Sequence, residues 1–248
     1  MVRKGKTAFF TKPYLAGGPG GEKDWRGEPT FPAEVLTEMV AKVYALGVPL
    51  NYHANGDAAI DMLLAAHEAV AMDDPTRDRN VTVIHAQFVR PDQLEKFARY
   101  HFTPSFYTLH TFYFAEAHAA NRGAEQAAYI SPMRDALKLG LHPTNHTDFV
   151  VAPLDQMFVL WSAVNRASRA GAVVGPDQRV TPLEGLAAMT IDAARQYGEE
   201  GSKGSLSVGK RADLVVLDRS PLKVEPMAIK DIRIVETIKG GRTIWRSQ

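Results

Sequence analysis

The stretch Asn51-Tyr52-His53-Ala54-Asn55-Gly56-Asp57 decides the fold of this chain. It follows a short apolar run, Val48-Pro49-Leu50, and precedes a helical pattern that extends from Ala58 to about Met72. A strand that ends in a histidine and turns at once into a helix is a common way for an α/β enzyme to present a ligand. The stretch therefore predicts a βα unit with His53 at the carboxyl end of its strand.

The same unit recurs along the chain. Residues 81–85, 102–107 and 141–147 have the apolar character of strands, and the patterns 91–100 and 133–139 indicate helices. Strands that alternate with helices about every 30 residues favour a parallel sheet covered by helices. Four such units are half of a (β/α)8 barrel, which typically needs about 250 residues.

The segments around these units are of three kinds. The Gly- and Pro-rich residues 1–32 and the polar, aromatic residues 108–130 predict long loops. Helices are predicted from Pro32 to Leu46, with Val35, Met39, Val40, Val43 and Leu46 on one face, at 154–170, and from Thr181 to Ala194. Short β segments fill the C-terminal part of the chain. We therefore expect an α/β domain over residues 1–200 and a small β domain over residues 201–248.

The bulk composition excludes several classes of function. The 248 residues include 45% apolar and 23% charged residues, and the formal net charge is +1. This balance argues against a nucleic-acid or membrane-surface partner, and no apolar run is long enough to span a bilayer. The chain has no cysteine, which agrees with a cytoplasmic location and leaves only His, Asp, Glu or a modified Lys as metal ligands.

Three side chains share one position in the predicted sheet. His53, His85 and Asp148 each lie at or just after the carboxyl end of a predicted parallel strand. In a barrel these ends form the rim on which active sites are built. Two imidazoles and a carboxylate are suitable ligands for Zn²⁺, and Asp148 would then act as the proton shuttle. The alternative is that the histidines bond to loop backbone and that Asp148 caps a helix.

Other polar residues allow two interpretations each. Asp57 would either cap the helix that follows His53 or orient the His53 ring as a carboxylate behind the metal ligand. His142 and His146 would form a second metal pair on the fourth strand or pack inside the sheet.

The histidines of the long predicted loop are also open to two interpretations. His110 and His118 flank the aromatic residues Phe112, Tyr113 and Phe114. One of the two histidines would contact a substrate, or the loop would be a surface loop packed by its own aromatic rings.

Several motifs resemble the amidohydrolase superfamily, and its amidohydrolase 3 branch in particular. Tyr52–Asp61, Ile84–Gln87 and His146–Asp148 look like strands 5, 6 and 8 of its barrel, and Gly204–Asp218 is similar to its β-sandwich. Further matching segments are Pro104–Phe106 with His110–Tyr113, and Trp161–Arg166. The branch includes enzymes that resemble N-substituted formamide deformylase and proteins labelled exoenzyme regulators.

The resemblance implies a metal-dependent hydrolase. His53 and His85 would be metal ligands, Asp148 the metal-associated catalytic acid and base, and His110 and Tyr113 would lie near the substrate. The implied cofactor is a divalent metal, Zn²⁺ in the first place and Fe²⁺ or Mn²⁺ as alternatives. The implied reaction is hydrolysis of a C–N bond in a small amide, formamide or cyclic amide by metal-activated water.

The sequence departs from the family pattern at its N-terminal side. It contains no His-x-His pair like that of the family's first strand, and no lysine matching that of the fourth strand. The expected fold is therefore the C-terminal half of a (β/α)8 TIM barrel plus part of a small β-sandwich domain. A half barrel has open sheet edges, which predicts a homo-oligomer or a missing N-terminal half. A non-catalytic remnant or regulatory protein with the same fold is the alternative function.

Overall fold

The computed structural model describes residues 6–248, and its main element is a parallel four-stranded sheet. The strands are β1 (Leu50–Ala54), β2 (Val81–His85), β3 (Thr103–Phe106) and β4 (Thr144–Asn145). They are neighbours in the order β1-β2-β3-β4, and each pair is parallel. This arrangement confirms the predicted α/β class with a parallel sheet.

Nine α-helices are described within residues 6–248. They are α1 (Ala33–Leu46), α2 (Asp57–Val70), α3 (Pro91–Tyr100), α4 (His110–Arg122), α5 (Ala124–Ala128), α6 (Met133–Lys138), α7 (Gln156–Asn165), α8 (Pro182–Met189) and α9 (Ile191–Gln196). Two short 3-10 helices cover Pro176–Gln178 and Pro226–Asp231.

The main hydrophobic core lies where α2 and α3 meet the parallel sheet. Apolar side chains recur at helical spacing in both helices, so that one face of each helix is buried. The buried side chains of this core include Ile60, Leu63, Leu64, Val81, Val83, Leu94, Phe97 and Phe106. Each such side chain contributes roughly 1.5–3 kcal/mol through its removal from water, which makes this core the rigid base of the strand ends.

Helix α1 forms where the sequence predicts it, but its buried face differs. Leu36 and Val40 are buried, whereas Val35, Met39 and Leu46 are 37%, 44% and 73% exposed. The buried face of α1 is therefore rotated by part of a helical turn from the predicted one, and the predicted face was wrong to that extent. The core-facing stripe runs through Leu36 because that side chain, and not Val35, packs in the cluster that contains α2.

The segment predicted as a long loop between β3 and residue 130 is helical, so that prediction was wrong. It forms α4 and α5. The buried positions of α4 follow a helical spacing but are mostly polar: His110, Thr111, Ala115, His118 and Arg122. A pattern search for apolar periodicity misses such a helix because its inner face is built from groups that line a cavity.

Two further boundaries differ from the predictions. The predicted strand 141–147 pairs only at Thr144–Asn145, with one more backbone bond from His146 N to Phe106 O at 2.9 Å. The helix predicted from Thr181 begins with the expected capping box between Thr181 and Glu184. It breaks at Thr190, which separates α8 from α9.

A second sheet lies in the C-terminal part of the chain. It consists of β5 (Leu214–Leu217), β6 (Ile234–Lys239) and β7 (Arg242–Arg246), antiparallel and in that order. Ile229 and Ile232, which precede β6, pack in one cluster with Trp161 of α7. Within residues 6–248, no helix combines the length and the apolar character that crossing a bilayer requires.

The described part of the predicted N-terminal loop, residues 6–32, is attached to the start of α2; residues 1–5 of that predicted loop lie outside the described residues. Thr11 donates its backbone N–H (2.9 Å) and its hydroxyl (2.5 Å) to the Asp57 carboxylate. Gly56 permits the backbone of Phe9 to approach closely, because a Cβ at Gly56 would lie 1.9 Å from the Phe9 carbonyl oxygen. The segment is thereby held beside the carboxyl end of β1.

Candidate active site

The carboxyl ends of the four parallel strands gather the polar side chains that could carry chemistry. His53 lies in β1, His85 is the last residue of β2, and Tyr107 directly follows β3. His146 and Asp148 follow β4. Because parallel strands end at the same edge of a sheet, these residues from distant parts of the sequence become neighbours.

His85, His146 and Asp148 form the central cluster. Each offers one ligand atom, and the three atoms all lie within 4.8 Å of one another. His146 Nε2 lies 3.2 Å from His85 Nδ1, and the other ring nitrogen of His146 lies 3.1 Å from the Ser105 hydroxyl. The Ser105 contact fixes the orientation of the His146 ring toward His85.

The backbone at this cluster is in an unusual conformation. His85, Ala86 and Asp148 have φ values of 71°, 43° and 54°. Left-handed backbone at residues other than glycine costs of order 1–3 kcal/mol each, and such residues concentrate at functional sites. The fold therefore accepts local strain in order to turn the side chains of His85 and Asp148 into the cluster.

The chemistry and spacing of the cluster fit a divalent metal ion. Two imidazole nitrogens and a carboxylate oxygen are ligands that Zn²⁺ accepts, and two tetrahedral ligands at about 2 Å from the metal are about 3.3 Å apart. The 3.2 Å between the nitrogens of His85 and His146 matches that separation. A fourth position would remain for a water molecule or a substrate atom.

His53 lies beside this cluster but outside the group of three. Its ring is perpendicular to that of His85, with 4.6 Å between the centroids. Its Nε2 atom contacts the Asn55 side-chain amide at 3.4 Å, and its side chain is exposed. The structure thus brings two of the predicted metal ligands, His85 and Asp148, into the cluster, adds His146, and places His53 at its rim.

Asp57 belongs to another network. Besides the two bonds from Thr11, its carboxylate accepts one from Arg90 at 3.2 Å, and Arg90 also binds Asp61. The residue before the first turn of α2 is Gly56, so Asp57 is not the N-cap. Asp57 therefore connects the N-terminal segment to α2 and to the residue before α3, and its hydrogen bonds do not reach His53.

The remaining predicted site residues separate into two groups. His110, the first residue of α4, lies 5.7 Å from the His85 ring and 4.5 Å from the Tyr107 ring. Tyr113 packs one turn further on, against Phe112 at 5.0 Å between centroids. Hence His110 borders the cluster, and Tyr113 packs against the Phe112 ring.

The two remaining histidines of interest lie in different places. His142 does not pair with His146; it is half exposed and lies 3.2 Å from Asp192. His118 is buried, and its Nε2 atom lies 2.5 Å from the Gln87 side-chain amide. The idea of a second metal pair at His142 and His146 is therefore wrong.

A cavity of about 260 Å³ opens over the cluster. The N-terminal segment contributes Phe10 and Tyr14 to its wall, and Phe88 and Phe114 add two more aromatic rings. Polar side chains, among them Gln87 and Arg122, line the rest of the cavity. The cavity can admit a small polar molecule with an apolar substituent.

Sequence reasoning missed two residues of this site. It weighed His146 only as a partner of His142, and it gave Tyr107 no role. Tyr107 is fully buried, and its ring lies 5.8 Å from that of His146 in a stacked arrangement. The signal that could have found both was their position directly after β3 and β4, since His53 and His85 were chosen by that same criterion.

Burial controls the protonation of His146 and Tyr107. It lowers the pKa of His146 from 6.5 to about 4; the Asp148 carboxylate opposes this shift and His53 adds to it. Burial also raises the pKa of Tyr107, with further contributions from Asp148 and Tyr113. At neutral pH, His146 is therefore uncharged, as a metal ligand must be, and Tyr107 keeps its proton.

Acid is expected to destabilise the metal-free protein through His146. The unfolded chain takes up a proton on His146 as the pH falls through about 6.5, but the folded protein does so only near pH 4. The contribution of His146 is fully present above pH 6.5 and is lost as the pH falls toward 4. At pH 5 the loss is about 2 kcal/mol. Urea unfolding at pH 7 and pH 5 should show this loss in the wild type and not in His146→Gln. Equal pH dependence in both proteins would contradict the expectation.

Comparison with known proteins identifies a family that matches this chain. The sequence model of the amidohydrolase family matches residues 1–245. The chain is 29% identical over 205 residues to the N-substituted formamide deformylase of Arthrobacter pascens, covering 82% of this chain and 38% of that enzyme. It is 32% identical over 186 residues to the protein LONG AFTER FAR-RED 3 of Arabidopsis thaliana, covering 74% of this chain and 32% of that protein.

A search of solved structures also finds a hydrolase with a similar fold. A metal-dependent hydrolase of uncharacterised activity from Pyrococcus horikoshii superposes with a TM-score of 0.75 at 25% identity, over 89% of this chain and 43% of that one. The chain thus spans less than half the length of each of these relatives. Because the family match covers nearly the whole sequence, this chain belongs to the amidohydrolase family.

Proposed function

We propose that this protein is a metal-dependent amidohydrolase that hydrolyses a C–N bond of a small amide at the cluster of His85, His146 and Asp148. The observation that carries the proposal is the convergence of these three ligand atoms within 4.8 Å, beneath a cavity. Membership of a family of hydrolases supports it. Metal ligands at the carboxyl ends of parallel strands are the usual basis of catalysis in this architecture.

Each residue of the site has a proposed role. A bound divalent metal, Zn²⁺ in the first place and Fe²⁺ or Mn²⁺ otherwise, would polarise the amide carbonyl and make water acidic at neutral pH. His85 and His146 would hold it through imidazole nitrogens, and His53, whose ring centroid lies 4.6 Å from that of His85, is a further candidate ligand in this proposal. Asp148 takes a proton from water and returns it to the leaving nitrogen.

The residues around the cluster have supporting roles in this proposal. His110 borders the cavity and contacts the substrate, and Tyr113 supports the wall on which His110 lies. Asp57 acts indirectly, because it accepts hydrogen bonds from the N-terminal segment that closes the cavity.

The substrate class that we propose is a formamide, another simple amide or a cyclic amide. The named activity of the Arthrobacter relative supports a formamide. The volume of about 260 Å³ supports a small substrate, and the aromatic wall suits an apolar substituent on the amide nitrogen. We place the enzyme in the cytoplasm, which the absence of cysteine from the sequence supports.

We further propose that the parallel sheet is the C-terminal half of a (β/α)8 barrel, within residues 1–200, and that residues 201–248 are part of a β-sandwich. The order β1-β2-β3-β4 supports this, as does the coverage of 43% of the Pyrococcus chain. A half barrel leaves β1 as an open edge, which a second copy or an N-terminal half would cover. Light scattering should then detect an oligomer of the chain, and a cooperatively unfolding monomer would contradict this proposal.

A non-catalytic role is the alternative, as a remnant or as a regulatory protein that keeps the fold. The observation in its favour is that His53, one of the predicted metal ligands, is exposed and lies outside the group of three. The experiment that separates the two functions is hydrolysis of a panel of formamides, simple amides and cyclic amides by the purified chain, with and without added Zn²⁺. Zinc-dependent release of amine that EDTA abolishes supports the enzyme. No release from any substrate with zinc bound favours the non-catalytic role.

A further inference from the structure

The Tyr107 hydroxyl is a buried polar group without a hydrogen-bond partner among residues 6–248. Tyr107 is 0% exposed, so bulk solvent does not reach the group. A buried phenol hydroxyl normally has a partner, because leaving a donor unpaired away from water is costly. Tyr107 is therefore an exception that calls for a physical reason.

The surroundings of Tyr107 point to a ligand. It lines the cavity above the cluster, together with His85, His110 and Asp148. Its ring lies 4.5 Å from that of His110 and 6.3 Å from that of His85. These contacts fix the ring from two sides, next to the proposed reaction centre.

A purely structural role would be served by phenylalanine. The ring packing around Tyr107 is the same for both side chains, and phenylalanine would avoid the unpaired hydroxyl. Tyr14 shows the contrast, because it lines the same cavity and its hydroxyl donates to the Ala8 carbonyl at 2.9 Å. Of these two cavity tyrosines, Tyr107 is the one whose hydroxyl has no bond within the described chain.

We propose that the Tyr107 hydroxyl donates a hydrogen bond to the carbonyl oxygen of the amide substrate, which makes Tyr107 a substrate-binding residue. The inference rests on the proposed amidohydrolase function, since it assigns the substrate of that same site. An amide carbonyl is a strong acceptor, and a neutral phenol is a good donor. A donor that the fold has already positioned strengthens binding, because the side chain loses little conformational entropy when the bond forms.

The test compares Tyr107→Phe with the wild type in binding two probes, formanilide and thioformanilide. The full chain is treated with EDTA, so that no metal competes for the sulfur. Sulfur accepts hydrogen bonds weakly. We expect Tyr107→Phe to bind formanilide about 3- to 10-fold more weakly than the wild type, as for the loss of one hydrogen bond. Thioformanilide should bind both proteins equally within a factor of about two. The ¹³C resonance of labelled formanilide carbonyl should shift on binding to the wild type and shift less with Tyr107→Phe.

Stability gives a second readout that a structural role would change. Urea unfolding should have the same or a higher midpoint in Tyr107→Phe, because no hydrogen bond within the chain is lost. Tyr14→Phe, the matched variant, should have a lower midpoint, because it loses the bond to Ala8.

Four results would overturn the inference. They are no saturable binding of formanilide by the wild type, equal binding by both proteins, an equal loss for the two probes, or a midpoint for Tyr107→Phe as low as that for Tyr14→Phe. Failure of the hydrolase proposal is a separate result. A chain that binds formanilide through Tyr107 but hydrolyses no amide with zinc keeps this inference and loses the enzymatic function.

Discussion

Replacement of His85 by alanine is expected to abolish stoichiometric metal binding and to lower amide hydrolysis by more than about 100-fold. Removing a group that merely orients a ligand costs 10–100-fold in metal affinity or activity, and His85 is proposed as a ligand itself. Its ring contacts His53, His146 and His110, so its loss also removes the centre of the cluster. Zinc per chain after dialysis, determined by elemental mass spectrometry, gives the first readout, and the rate of amine release gives the second.

The matched control for His85→Ala is His101→Asn. His101 is exposed at the end of α3, in the left-handed conformation that asparagine accepts. It should keep the metal content and the activity of the wild type. Zinc retained at the wild-type level by His85→Ala would contradict the assignment of the metal site.

Asp148→Asn is expected to lower the turnover of the zinc-saturated enzyme by about 10²- to 10⁴-fold, the usual contribution of a general acid or base. An asparagine amide keeps the size of the side chain and an oxygen that can face the metal, but it cannot take up and return a proton. The loss should therefore appear in kcat far more than in KM. Steady-state kinetics at saturating Zn²⁺ separates the two parameters.

The control for Asp148→Asn is Asp177→Asn, at an exposed carboxylate of the 3-10 helix Pro176–Gln178. It should behave like the wild type. A kcat of Asp148→Asn within a few-fold of the wild type would remove Asp148 from the chemistry. A loss that disappears when more zinc is added would limit Asp148 to metal binding.

The parallel sheet could be predicted from the sequence because the pattern that specifies it is local. Strands β1 and β2 begin with apolar residues and carry a histidine at or next to the last position, and Pro91 and the Thr181–Glu184 capping box mark the first turns of α3 and α8. Such signals depend on neighbours in the chain. The strands and helices that these signals predict are present in the structure, with ends shifted by a few residues.

Helix α4 could not be predicted because its inner face is not apolar. His110, His118 and Arg122 are buried there by contacts with distant segments. Arg122, for example, donates to the carbonyl oxygens of Lys12 and Pro13 and lies 3.9 Å above the Phe10 ring. Tertiary contacts of this kind leave no periodic trace in the sequence.

The composition of the metal cluster was only partly predictable for the same reason. Position at the end of a strand selects His53, His85 and Asp148. It does not determine which of these side chains lie close enough together to share a metal ion. The short pairing of β4 and the hydroxyl of Ser105 bring His146 to 3.2 Å from His85. His53 stays at the rim. The packing of the strand ends therefore determines that His146, and not His53, joins the cluster.

The most direct test of the metal-dependent site is titration of the metal-free chain with Co²⁺, followed by visible absorption. Cobalt replaces zinc at sites of nitrogen and oxygen ligands, and its absorption bands report the ligands that bind it. The site of His85, His146 and Asp148 predicts bands that saturate with Co²⁺ in the wild type, disappear in His85→Ala and weaken strongly in His146→Gln. A wild-type chain without saturable bands, or bands that persist unchanged in both variants, would contradict the assignment.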